Sequence, residues 1–312
     1  FFEALNTQRK FDVIELINGE QCRIPYLNGG LFEEENKKFR SLIFPESLFQ
    51  NLFSFFNQYN FTIYEDDPND HTIAVDPEML GHIFENLLED NKDKGAFYTP
   101  KEIVHFMCQE SLIEYLDVQL QTYDKELKIA RPSIEKLIKH KEVTEDLKPN
   151  ISIIDQLLIN VKICDPAIGS GAFPMGLLHE IFATKQTLYS AAHGSIDGFN
   201  GSAVKLNTIQ NSIYGVDIEK GAVDIARLRF WLSLIVDEPE PKALPNLDYK
   251  IVVGNSLVSK FEDNIIDVDW SLNNNSHGLF GQDLVVQKAE LLRKISIKQK
   301  EYFNPDIDWK SR

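Results

Sequence analysis

The segment KICDPAIGSGAF, residues 162–173, joins a short apolar run to an amphipathic one through a turn that contains two glycines. The apolar run from Val161 to Cys164 predicts a strand, and Phe173 to Phe182 predicts a helix. Glycine tolerates tight backbone turns and lets a ligand approach the main chain. Because Gly169 and Gly171 follow the strand directly, the sequence predicts a strand, turn and helix that together hold a ligand.

The alternation of strand and helix continues toward the C-terminus. The segment SIYGVD predicts a strand that ends in Asp217, and residues 222–236 predict an apolar helix. The segment YKIVVGNS predicts a further strand that ends at Gly254 and Asn255. Strands that alternate with helices form parallel sheets, so the fold class is α/β with a doubly wound sheet.

The first 92 residues predict a mainly helical region with a short hairpin. Apolar residues recur three and four positions apart between Pro45 and Tyr59, which predicts a helix with one buried face. Two apolar runs around an Asp-Pro-Asn-Asp turn predict the hairpin between residues 61 and 75, and another helix starts at Asp76. We therefore divide the chain into residues 1–92 and residues 93–312, the second of which holds the ligand.

Three further segments complete the division of the chain. In YTPKEIVHFM, Thr99 can cap a helix, Pro100 takes the first helical position, and Glu102 completes a capping box. Residues 117–150 carry mixed charges and predict a surface helix and a connector. Residues 191–204 are rich in glycine and serine and predict a mobile loop.

The composition excludes several classes of protein. The chain has 312 residues, 43% of them hydrophobic, and a net charge of -16. Such a chain folds into about two domains, and its charge opposes wrapping around nucleic acid. It contains neither a membrane span nor a targeting segment by sequence, and its three cysteines are far apart, so we expect a reducing, cytoplasmic setting. Basic residues cluster between Lys288 and Lys300, where a solvated helix face is the simplest interpretation.

Two nucleoside ligands compete for the glycine turn. A dinucleotide site requires a third glycine, where this sequence has Pro174, and an acid about 20 residues on, where Asp197 falls in a loop. S-adenosylmethionine fits better, because Asp165 can meet an ammonium group and Asp217 can accept both ribose hydroxyls. Asn255 is placed to read an adenine edge, although a simple turn former is an equally good interpretation.

Five segments resemble a known family. DPAIGSGAFP, IYGVDIEKGAVDIARLRFWLSLIVDE and KGAFYTPKEIVHFM, together with IPYLNGGLFE and DPEMLGHIFENLL upstream, closely resemble the adenine-N6 DNA methyltransferases of bacterial restriction-modification systems. The nearest subgroup is the long single-chain type II enzymes that fuse methyltransferase and endonuclease, with related phage-defence methyltransferases. The resemblance covers most of residues 20–258. It implies a Rossmann-like class I methyltransferase domain, S-adenosylmethionine as cofactor, and double-stranded DNA as partner of the full-length protein.

The resemblance also implies roles for matching residues. The turn that closes over the methionine moiety comprises Phe97, Tyr98, Thr99 and Pro100. The amino-acid portion of the cofactor is held by Asp165, Ala167, Gly169, Ser170 and Gly171. The ribose and adenine are held by Asp217 and Ile218, and the far side of the adenine by Asn255 and Ser256.

One signature of this family is missing. The catalytic motif, Asn or Asp, Pro, Pro, then Tyr or Phe, does not occur, and Asn304-Pro305-Asp306 predicts an ordinary turn. We therefore expect an incomplete methyltransferase sheet, cut before the catalytic motif, which alone is inactive, with no metal site and no nuclease. A non-catalytic defence or scaffold protein that keeps this fold is the main alternative, and a dinucleotide-dependent oxidoreductase is the lesser one. The oligomeric state stays open.

Overall fold

A computed structural model describes residues 13–15, 19–23, 43–58, 99–123, 129–235, 245, 247, 249–258, 260–261, 264–265, 294 and 297–298. Its seven strands are β1 (Val13–Glu15), β2 (Gln21–Arg23), β3 (Ile163–Asp165), β4 (Ile213–Asp217), β5 (Ile251–Val253), β6 (Lys260–Phe261) and β7 (Asn264–Ile265). Seven α-helices have both ends within these ranges: α1 (Glu46–Phe56), α2 (Lys101–Tyr123), α3 (Arg131–His140), α4 (Ile151–Asn160), α5 (Ala172–His193), α6 (Gly201–Asn211) and α7 (Lys220–Ile235).

A small parallel sheet positions the candidate site. Its order is β3-β4-β5, with Ile163 opposite Ile213 and Gly215 opposite Ile251. The chain passes from β3 to β4 through α5 and α6, and from β4 to β5 through α7. The prediction of an α/β fold with parallel strands is confirmed. All three strands end at the same edge, which is where ligands bind in such sheets.

Half of the predicted loop at residues 191–204 is helical, so that prediction was wrong in extent. Helix α5 runs on to His193, where Gly194 ends it in the left-handed conformation, with φ of 75°. The loop proper spans only residues 194–200, because the Asn200 side chain accepts a hydrogen bond from the Ala203 N–H at 2.9 Å and caps α6. The glycine and serine content at the start of α6 indicated a loop. Packing of the buried Ile209 in the core favours the helix instead, and composition does not show that packing.

The interpretation of residues 117–150 as surface was also wrong in part. Helix α3 buries Ile134, Leu137 and Ile138, all at most 1% exposed, in the same core as α5. The phenolic hydroxyl of Tyr115 on α2 donates to the carbonyl of Leu157 on α4 at 2.9 Å. Helices α2, α3 and α4 therefore pack with α5 around one hydrophobic core.

The N-terminal region is described at residues 13–15, 19–23 and 43–58. Helix α1 confirms the predicted helix, but Leu48, Leu52 and Phe55 are exposed, so the predicted buried face is not found among the described residues. Strands β1 and β2 form an antiparallel pair that the sequence did not predict. The predicted hairpin, the helix from Asp76 and most of the basic segment lie outside the described residues. None of the described helices is both long and apolar enough to cross a membrane.

Candidate cofactor site at the carboxyl edge of the sheet

The glycine turn between β3 and α5 depends on two positive backbone angles. Gly169 has φ of 53° and Gly171 has φ of 90°, values that residues with a side chain rarely adopt. The Gly171 N–H donates to the carbonyl of Ile168 at 2.9 Å and closes the turn. A Cβ on Gly171 would lie 3.2 Å from Cβ of Ala226 on α7. The turn therefore needs glycine for its conformation and for the close approach of α7.

The carboxylate of Asp217 joins the end of β4 to this turn. Its Oδ2 accepts the Gly169 N–H at 2.8 Å and its Oδ1 accepts the Glu219 N–H at 2.9 Å. The Asp217 carbonyl accepts the Gly254 N–H at 2.8 Å, which connects β4 to the end of β5. A carboxylate oxygen has two lone pairs, so each one keeps an acceptor position beside its backbone partner.

Asp165 at the end of β3 is the second carboxylate of the site. Its Oδ1 accepts the Ala167 N–H at 3.0 Å, whereas its Oδ2 is buried without a hydrogen-bond partner among the described residues. Burial raises the pKa of Asp165, the nearby Asp217 carboxylate raises it further, and the Ala167 hydrogen bond opposes both effects. A buried acceptor without a donor costs free energy, which a cationic or N–H-bearing ligand would recover.

The end of β5 adds a polar turn and apolar surface. Asn255 Oδ1 accepts the Leu257 N–H at 3.0 Å, so its side chain forms a turn, which was one of the two interpretations. Asn255 and Ser256 are exposed. Four apolar residues of the strand ends are exposed beside them: Ile218, Val253, Leu257 and Val258. Exposed apolar groups around a polar turn suit the face of a heteroaromatic ring.

The remaining predicted site residues include the turn before α2 and Ser170. Phe97 and Tyr98 lie outside the described residues. Helix α2 begins at Lys101, one residue later than predicted, and the carbonyl of Pro100 accepts the first N–H groups, from Ile103 at 3.0 Å and Val104 at 3.1 Å. Ser170 is only 3% exposed, so a ligand would have little access to it.

The sequence did not indicate two residues that contact the glycine turn, Arg229 and Gly215. Arg229 of α7 is buried, and its Nη1 donates to the carbonyl of Ser170 at 3.1 Å. Gly215 in β4 faces Ile168 so closely that a Cβ there would lie 3.0 Å from both Cβ and Cγ1 of Ile168. A charged residue within an apolar helix and a glycine within a strand were the available signals, since each has a structural cost that needs a reason.

The acid that a dinucleotide site would use lies elsewhere. Asp197 is exposed in the loop after α5, and its Oδ2 accepts the Ser195 hydroxyl at 2.8 Å. Helix α5 has 22 residues, which corresponds to about 33 Å between its ends. Asp197 is therefore far from the glycine turn, whereas Asp217 is bonded to it.

A cavity of about 900 Å³ lies at the opposite end of α5 from the glycine turn. Helices α4, α5 and α6 line it with Ile159, Leu188, Tyr189 and other side chains. Its volume would accommodate a small molecule. We assign it no part in the candidate site, because Asp165 and Asp217 do not line it.

The fold and the glycine turn define an α/β protein with a candidate ligand site at the carboxyl ends of its parallel strands. No protein-family model matches the chain. It is 31% identical over 285 residues to a protein of Methanocaldococcus jannaschii named as a predicted type II restriction enzyme and methyltransferase, an alignment that covers 85% of this chain and 24% of the relative. The chain is therefore similar to a restriction enzyme and methyltransferase, and the predicted resemblance to type II restriction-modification enzymes is confirmed.

A solved structure shares the fold. The type IIL restriction-modification enzyme MmeI, determined in complex with DNA, aligns with a TM-score of 0.52 and 18% identity, over 83% of this chain and 31% of that one. The chain thus spans about a quarter of the curated relative and less than a third of the solved one. At this identity the likeness supports a common fold.

Proposed function

We propose that this chain binds S-adenosylmethionine as the cofactor-binding portion of a DNA adenine-N6 methyltransferase in a restriction-modification or phage-defence system. The observation that carries the proposal is the pair of carboxylates on either side of the glycine turn. Asp165 has a buried oxygen without a hydrogen-bond partner in the described part of the chain, and Asp217 is bonded to the Gly169 N–H. The relative from Methanocaldococcus jannaschii, with methyltransferase in its name, supports this assignment.

The charges and shapes of the cofactor match these groups. S-adenosylmethionine carries an ammonium and a sulfonium group, and carboxylates attract both. In our assignment, Asp165 and the backbone of residues 167–171 hold the amino-acid portion, and the free lone pairs of Asp217 accept the ribose hydroxyls. The exposed side chains of Ile218 and Val253 then contact the adenine ring, with Asn255 and Ser256 at its far side.

The chemistry follows from the cofactor and from positioning. Bound S-adenosylmethionine supplies an electrophilic methyl group on its sulfonium sulfur. The chain's own residues orient that group and exclude water from it, while Phe97, Tyr98, Thr99 and Pro100 close over the methionine end. Because the sequence has no Asn-Pro-Pro-aromatic motif, we assign the polarisation of the target amine to no residue here. We propose double-stranded DNA as the partner of the longer protein, in line with the DNA complex of MmeI.

Calorimetric titration with S-adenosylhomocysteine and with NADH tests the cofactor. We expect saturable binding of S-adenosylhomocysteine and none of NADH. A hydrogen bond to a charged group contributes about 1.5 to 3 kcal/mol, so Asp217→Ala should weaken binding by at least about tenfold. Asp197→Ala is the matched control, since this exposed acid in the loop after α5 should leave binding unchanged. Thermal melting of both variants shows whether they remain folded.

The opposite results have clear meanings. NADH binding that Asp197→Ala abolishes would overturn the proposal in favour of a dinucleotide site. No binding of either ligand would favour a non-catalytic protein that keeps the fold. The choice of adenine has its own assay: DNA from cells that express the complete gene should contain N6-methyladenine, and 5-methylcytosine in its place would contradict that part of the proposal.

A further inference from the structure

A buried carboxylate joins three helices some distance from the cofactor site. Glu180, in the middle of α5, is 6% exposed. Its Oε1 accepts a hydrogen bond from Gln109 Nε2 at 3.3 Å and lies 3.0 Å from His105 Nδ1, both on α2. Its Oε2 forms an ion pair with Lys141 Nζ at 2.6 Å. A buried charge persists only where partners surround it, so this contact fixes α2 relative to α5.

Lys141 reaches Glu180 from an unfavourable backbone conformation. It directly follows α3 and has φ of 54°, the one positive φ among the described non-glycine residues. Its Nζ also donates to the carbonyl of Ile138 at 2.6 Å. The left-handed conformation costs a lysine free energy. Such a conformation persists where the surrounding structure determines it. The ion pair to Glu180 is such a determinant, and it anchors the end of α3 to the same point.

The two helices cross just before this point. A Cβ on Gly176 of α5 would lie 2.9 Å from Cys108 Sγ and 2.9 Å from Val104 Cγ1 of α2. The Cys108 thiol also donates to the carbonyl of Phe173 at 3.4 Å. Helices α2 and α5 are therefore in close contact near the start of α5, directly after the glycine turn.

Among the described residues, most apolar side chains in the first turns of α2 are exposed. Ile103, Phe106 and Met107 are exposed, and Val104 is the buried apolar residue before Cys108. Lys101, where α2 begins, precedes Cys108 by seven positions, which is about 10 Å at 1.5 Å per residue, and Thr99 lies two residues before it. A tilt of about 10° around the crossing would therefore move Thr99 by about 2 Å, which is enough to break a hydrogen bond made by the turn.

We propose that Glu180 is a positioning residue that sets the direction of α2, and thereby holds the Thr99–Pro100 turn against the cofactor bound at the glycine turn. The part of this inference that concerns the cofactor rests on the proposed function. The part that concerns the start of α2 does not, because the contacts of Glu180 are made within the protein alone.

The same helix offers a matched control. Lys185, one turn and a half further along α5, forms an ion pair with Asp155 of α4. Its side chain is 10% exposed, close to the 8% of the Glu180 side chain. Asp155→Asn therefore breaks a similarly buried ion pair of α5 without touching α2. Glu180→Gln keeps the shape of the side chain and removes its charge.

Two measurements on the wild type and both variants test the proposal. Amide hydrogen exchange of residues 101–107 without cofactor should be about tenfold faster in Glu180→Gln and unchanged in Asp155→Asn. The dissociation constant for S-adenosylhomocysteine should rise about tenfold in Glu180→Gln alone. If Glu180→Gln fails to fold, His105→Ala takes its place, because the His105 side chain is 59% exposed and its removal takes away one α2 contact.

The outcomes separate the two proposals. Equal effects of Glu180→Gln and Asp155→Asn, or no effect of Glu180→Gln on residues 101–107, would overturn the positioning role. Absence of S-adenosylhomocysteine binding in the wild type would instead refute the proposed function, and hydrogen exchange would then decide alone whether Glu180 directs α2.

Discussion

Replacing Gly215 by alanine tests the contact between the central strand and the glycine turn. The new Cβ would lie 3.0 Å from both Cβ and Cγ1 of Ile168 and well within van der Waals contact of its Cδ1. Ile168 is 3% exposed, and its N–H donates to the carbonyl of Val216 at 2.9 Å, so it cannot simply move outward. Inserting a methyl group into such a core costs about 1 to 3 kcal/mol. We expect Gly215→Ala to lower the free energy of unfolding by that amount.

A double-mutant cycle with Ile168→Ala shows whether this contact is the cause. Ile168→Ala alone should cost about 2 to 5 kcal/mol, because it leaves a cavity. In that background, only the Cβ of residue 168 remains near the methyl group added by Gly215→Ala. The loss in the free energy of unfolding should therefore fall below about 1 kcal/mol. The free energies come from urea unfolding of the four proteins followed by circular dichroism.

Gly254→Ala is the control for the substitution itself. A Cβ there would lie 3.5 Å from Val216 Cγ1, an ordinary contact, so the cost should stay within about 0.5 kcal/mol. A Gly215→Ala cost that is the same with and without Ile168, to within about 0.5 kcal/mol, would refute the reasoning.

Three further predictions concern the turn and its surroundings. Gly171→Ala and Gly194→Ala should each cost about 1 to 2 kcal/mol in urea unfolding, because both glycines have positive φ, but only Gly171→Ala should also weaken S-adenosylhomocysteine binding. Asp165→Asn should raise the free energy of unfolding at pH 7, because burial raises the pKa of Asp165 above 3.8 and so makes its charged form unfavourable in the folded protein. This gain should vanish below pH 3.8, where the carboxyl group is protonated in both states. An equal or lower free energy of unfolding at pH 7 would contradict the prediction. Burial raises the pKa of Cys108 to about 12, so peptide mass spectrometry after thiol labelling at pH 8 should find Cys164 modified and Cys108 intact; rapid labelling of Cys108 would contradict its burial.

The parts of the fold that the sequence predicted well are those with a strong local signal. The strand predicted to end at Asp217 agrees with β4, and the strand predicted to end at Gly254 and Asn255 agrees with β5 to within two residues, because short apolar runs with a polar or glycine residue after them leave little choice of boundary. A helix was predicted in the region of α3 but its burial was misjudged, and the start of α6 was predicted as a loop, since the buried residues of both are few and lie among charged and small ones. Their helical state depends on packing against α5, which a short window of sequence does not contain.

The candidate site was predictable to a similar degree. The sequence placed Asp165, Gly169, Gly171 and Asp217 after strands, and the structure places them at one edge of the sheet. It could not have predicted that Asn255 would bond to Leu257, or that Arg229 would support Ser170, because those pairings depend on the geometry of turns and on helix α7.

Motifs and spacing were enough to identify the parallel strands, the glycine turn and the relationship to restriction-modification methyltransferases, because each depends on residues that are neighbours in the chain. The contacts of Glu180 with His105, Gln109 and Lys141 span 39 to 75 positions, and no periodicity connects them. Such contacts exist only once the helices pack, since a buried carboxylate takes its partners from whichever elements the core brings to it.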